Sequence, residues 1–174
     1  MRLKRLSTEA RIRDDVRPSG GKAVGDFDQG RDAMNPTSSV QQRLEEARSL
    51  AEILTAAYDA FDAMLSAFDR YHNGPGAFYP ALVMAGPAAA GGRNTIGMGP
   101  SLPPPERDRP WPPEPANEPT AQEVAGSVAA LAALTARKLR IAAGAATSAA
   151  DCSACVDAAQ YADEVRGLMT GTGP

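Results

Sequence analysis

At 174 residues, with a net charge of −3 and a pI near 5.2, the chain has room for one domain with tails and carries no general field that draws nucleic acid or an anionic membrane. Aromatics make up 5% of it, and the 43% apolar share leans on alanine, which adds helix propensity but little buried area. A thin core between closely approaching helices is therefore expected.

Residues 1–36 show no apolar periodicity. A charged run at Thr8–Val16 precedes Pro18-Ser19-Gly20-Gly21, and the early cations Arg2, Lys4, Arg5, Arg11, Arg13 and Arg17 are offset by Glu9, Asp14 and Asp15. The segment reads as a flexible tail. Met1–Arg5 is basic with no apolar stretch behind it, so no export signal is expected. The most apolar run, Val124–Ala136, is too short to span a membrane, which makes the cytoplasm the expected location.

The first helix is predicted over about Ser39–His72. Val40, Leu44, Ala47, Ala51, Leu54, Tyr58, Phe61, Leu65 and Phe68 recur at alternating fours and threes, the spacing of a coiled-coil seam. A second stripe with Ile53, Met64 and Tyr71 runs beside it. Ser38 with Gln41 fits a capping box at the start, and Asn73-Gly74-Pro75 marks the end. Glu45, Ser49, Glu52, Asp59, Asp62 and Asp69 give the outer face.

Residues 74–119 form a Gly/Pro-rich connection. A short helix is possible after Pro80, with Gly86-Pro87 as its stop. The later proline cluster reads as an extended strap, with Trp111 pinning it to the helices. The rival use of Pro110-Trp111-Pro112-Pro113 is as a ligand for a proline-recognising domain.

Thr120-Ala121-Gln122-Glu123 is a capping box, and helix formers continue from it to about Met169. One long helix bent near Gly144–Ser148 is favoured over two helices recapped by Ser148 and Asp151. Gly167 onward reads as frayed, and residues 171–174 as disordered. The expected fold is all-α, an antiparallel long-helix hairpin with domain limits of about 37–170. Leu54, Tyr58, Phe61, Leu65 and Phe68 would nest on Ala142, Ala145, Ala149 and Ala159. Such a hairpin leaves apolar stripe uncovered, which points to a homodimer or a protein partner.

Arginine far outnumbers lysine, alanine, glycine and proline abound, and the segments are laid out as two helical stretches around a proline-rich connection. In this the chain is similar to small, alanine-rich helical proteins of actinobacteria that carry no assigned function. That likeness rests on composition and layout and implies no catalytic residues. Hairpins of secreted bacterial helical dimers are similar in outline, but their Trp-x-Gly turn is lacking.

Chemistry is sparse. Cys152 and Cys155 lie one turn apart and, with His72, are the candidate metal ligands, but zinc needs four. As small apolar residues on the seams, both cysteines fit core packing better. Arg137, Lys138 and Arg140 are the densest cations of the folded part, expected at solvated edges with Leu139 turned away from the main seam. No phosphate loop, nucleophile elbow or Glu-x-x-His pattern occurs. The leading expectation is a non-enzymatic interaction protein without cofactor, with Ile53, Met64, Tyr71, Arg137, Lys138 and Arg140 as candidate contact residues. The alternatives are a small accessory nucleic-acid-binding protein, disfavoured by the acidic balance, and a Cys-pair metal or redox protein.

Overall fold

A computed structural model describes residues 36–73, 80–104 and 119–171, the side chains of Pro36, His72 and Asn73 excepted. The described residues are all-helical, with five helices: α1 (Pro36–Glu46), α2 (Leu50–Asn73), α3 (Pro80–Gly97), α4 (Ala121–Ala145) and α5 (Ala149–Thr170). The expectations for residues 1–35, for most of the proline strap with Trp111, for the cap at Gly74-Pro75 and for residues 172–174 lie outside the described residues.

The first predicted helix is two. Ala47, Arg48 and Ser49 break it, and Ser49 opens α2 with a capping box. Its Oγ accepts from the Glu52 amide at 3.2 Å, while the Glu52 carboxylate accepts from the amides of Ser49 at 2.9 Å and Arg48 at 2.8 Å. Those amides hold the Glu52 carboxyl below its ordinary range. The break lets the chain reverse. Arg43, near the end of α1, pairs with Asp59, nine residues into α2, at 3.1 Å, a distance that a continuous rod forbids.

The second long helix is also two, so the recapped reading holds and the bent-rod reading does not. Ala146 is extended, with φ −69° and ψ 129°, and Ser148 caps α5 by accepting from the Asp151 amide. At the start of α4 the Thr120/Glu123 box forms as expected. At the far end α5 does not fray at Gly167. It runs on to Thr170, burying Met169, and closes on Gly171 in the left-handed region at φ 68°.

The helix after Pro80 is not stopped by Gly86-Pro87. It spans 18 residues with Pro87 inside. The missing amide removes one intrahelical bond. Burial of Leu82, Ala85, Ala88, Ala89, Gly92 and Ile96 offsets that loss.

The five helices do not make the two-rod hairpin. α2 packs on α3 and α4, α5 packs on those same two helices, and α1 lies over α2 and α4. The order around the core is therefore α2, α3, α5, α4, with neighbours antiparallel. Asp62 meets Arg93 and Tyr58 lies near Gly97, so α2 and α3 run opposite ways. Gly91 meets Tyr161 while Gly99 meets Asp151, which gives the same relation for α3 and α5. At one end the Tyr71 hydroxyl donates to the Pro119 carbonyl. At the other, Asp151, 1% exposed, accepts from the Ser101 amide at 3.0 Å and from its hydroxyl at 2.8 Å, tying the exit of α3 to α5.

Bulky side chains do nest on small ones, but the partner differs from the expected one. Phe61 lies on Gly92 of α3, where a Cβ would collide with the ring. On the flank of α3 that faces α5, a Cβ on Gly91 would come within 2.7 Å of the Tyr161 ring. Ala142 and Ala159 are buried, whereas Ala145 and Ala149 are exposed at the α4–α5 turn.

Candidate interaction face

The candidate contact residues scatter once the helices close around the core. Ile53 and Met64 are buried, because α3 and α4 cover the two flanks of α2 and the second stripe has become core. Neither is an exposed contact residue. Tyr71 is half-buried and packs on that core.

The basic run is a solvated edge at Arg137 and Arg140 but not at Lys138. Lys138 is buried, and its ammonium donates to the carbonyls of Glu45 at 2.8 Å and Ala47 at 3.1 Å, at the C-terminal end of α1. There a cation meets orphan carbonyls and the negative end of the helix dipole. Leu139 is fully buried. Arg140 pairs with Asp163, which also takes Arg166 at 3.3 Å, and Arg137 is exposed.

Cys152 is half-buried and Cys155 fully buried, both as free thiols on one side of α5. Burial pushes the Cys155 thiol up to about 11, with the neighbouring Asp151 and Cys152 adding to the shift. A thiol so placed is a poor nucleophile or metal ligand. The His72 side chain lies outside the described residues. Among those described, no three His, Cys, Asp or Glu side chains converge to hold a metal. Among the described residues, no helix is long and apolar enough to cross a membrane.

Two of the buried polar groups tie helices to their neighbours: Lys138 caps α1, and Asp151 binds Ser101. The Thr135 hydroxyl stays within α4, donating to the Leu131 carbonyl at 2.8 Å. Between α2 and α3, Arg93 pairs with Asp62 and lies 4.8 Å from the centroid of the Tyr58 ring. Burial raises the Asp62 carboxyl against the pull of that guanidinium.

What remains open is the outward strip of α3. Arg93 is the one charged residue in this helix, and it points into the α2 seam. Val83, Met84, Pro87 and Asn94 are exposed, and Met98, just beyond the helix end, is 83% exposed. The spacings 84, 87, 94 and 98 keep these residues on one side. Ile141 and Val156, the other large apolar side chains exposed among the described residues, lie on α4 and α5.

Sequence reasoning missed this strip because Gly86-Pro87 was read as a stop. The signal was present all the same: 18 residues with a single charge, a composition that a fully solvated helix does not have. No protein-family profile, curated protein or solved structure matches the chain.

Proposed function

We propose that this chain is a non-enzymatic helical interaction protein that works through an apolar helix face, and that the face is the outward strip of α3. One observation carries the reading: a helix of 18 residues that commits its only charged side chain to Asp62 at the α2 seam and leaves Met84 64% exposed. Uncharged exposed strips of this kind mark contact surfaces. The buried polar groups support it as well, since Lys138 and Asp151 hold helices together and the Thr135 hydroxyl is spent within α4.

The nucleic-acid reading loses ground by the same facts, because Lys138 and Arg140 are already engaged. The test is a photo-crosslinking residue placed in the full chain at Met84 or Met98, with Gln122 and Gln160 as exposed polar controls. Discrete adducts from the two methionine positions alone are expected in cells of the source organism. Equal labelling from all four positions, or none from any, removes the proposal.

A further inference from the structure

Resting on that reading, the structure assigns the α3 strip a partner of particular chemistry: an amphipathic helix whose apolar stripe is edged by lysine or arginine. From Val83 to Met98 the strip is about 22 Å long at ~1.5 Å per residue, a match for about four turns of a single docked helix.

Its two borders carry the argument. On α2, Asp62 meets Arg93 at the seam, and Asp69 lies two turns further along the same side. On α5, Tyr161 covers Gly91, and the exposed Asp157 and Glu164, four residues before it and three after it, line that edge. Arg93 compensates Asp62. Among the described residues Asp69, Asp157 and Glu164 have no ion-pair partner, so both edges of an uncharged floor are acidic. The cations of α5's neighbourhood, Arg140 and Arg166, are gathered with Asp163 on another side.

A helix seated on α3 therefore meets carboxylates to left and right, and basic flanks satisfy both. A second copy in the same seat sets acidic border against acidic border, and an anionic lipid surface is repelled likewise.

The experiment titrates the full chain with a synthetic 18-residue peptide that repeats leucine at i, i+3 and i+4 and has lysine elsewhere, beside the same peptide with glutamate in place of lysine. The lysine peptide is expected to bind and the glutamate peptide not. D69N/D157N/E164Q should weaken binding at least about tenfold, while E45Q/E46Q on α1 leaves it unchanged. Met84→Lys, on a position 64% exposed, should abolish it while leaving the circular-dichroism spectrum unchanged.

Equal binding of both peptides, or equal weakening by the α1 and α3-border variants, overturns the proposal. So does a Met84-dependent dimer in low salt, which gives the seat to a second copy. Tighter peptide binding after R2S/K4S/R5S overturns it too, since the chain's own basic residues then occupy the strip. If crosslinks form from Met84 while the lysine peptide fails to bind, the partner chemistry is wrong and the interaction reading stands.

Discussion

Gly92 and Gly126 are both helical, and they predict opposite outcomes for the same substitution. At Gly92 the Phe61 ring occupies the space a Cβ needs, and Phe61 is itself fully buried. Gly92→Ala must displace a ring held between α2 and α3, a cost of ~1–3 kcal/mol for overpacking. At Gly126 nothing lies within 4 Å, so Gly126→Ala should stabilise the protein by ~0.5–1 kcal/mol by restricting the unfolded chain. Urea unfolding checks both: the midpoint should fall for the first and rise for the second, with the slope unchanged. Gly91 lies between these cases, because its neighbour Tyr161 is only half-buried and can shift.

Cys155 adds a pH prediction at the same scale. Its folded pKa of about 11 exceeds the unfolded thiol value, so the folded state holds the proton more tightly. The resulting stability is fully present below the unfolded pKa and is lost as pH rises toward 11. The difference in unfolding free energy between the wild type and Cys155→Ala should shrink across that window. A difference independent of pH would show that the thiol titrates normally. In the native protein at pH 8, a disulfide reagent should label Cys152 well before Cys155.

Whole elements depend on a few caps. Among the described residues, Lys138 supplies the cation for the carbonyls at the end of α1, which otherwise end next to a chain reversal. Lys138→Met keeps the stem and leaves those acceptors unpaired, a loss of ~1–3 kcal/mol. It should concentrate in faster hydrogen exchange over α1, while α3 and α5 keep their protection. Uniform loss across all five helices would mean that α1 does not open separately.

The helices themselves were legible, because seams of threes and fours run through them. Their breaks were not. Leu44, Ala47, Ala51 and Leu54 keep the seam spacing straight through Ala47–Ser49, so periodicity cannot register a reversal there. Cap chemistry can: Ser49-Leu50-Ala51-Glu52 has the same form as Thr120-Ala121-Gln122-Glu123, and reading one but not the other produced a single rod. The length of α3 was hidden for a different reason. Gly86-Pro87 is a local stop signal, and burial between α2 and α5 overrode it. With α3 shortened, the contact face was assigned to Ile53 and Met64, which α3 and α4 cover.

At the scale of the whole molecule, four helices close a ring around the core and α1 covers one side, so no second copy is needed to bury α2. The remaining reason to self-associate is the α3 strip, and its acidic borders oppose that. Sedimentation at about 10 μM in low salt should therefore find a monomer near 18.1 kDa. Raising salt to about 1 M shrinks the Debye length to roughly 3 Å, which removes the border repulsion and strengthens apolar association. A fraction of dimer should then appear in the wild type and be absent from Met84→Lys. A dimer that is present in low salt and indifferent to Met84→Lys places the contact elsewhere, with exposed Ile141 on α4 and Val156 on α5 the next surfaces to substitute. The sign of the salt effect is the informative quantity. Between two copies, an interface built on charge complementarity weakens with salt, whereas an apolar strip guarded by like charges gains from it, and the arrangement of Asp69, Asp157 and Glu164 around α3 predicts the second.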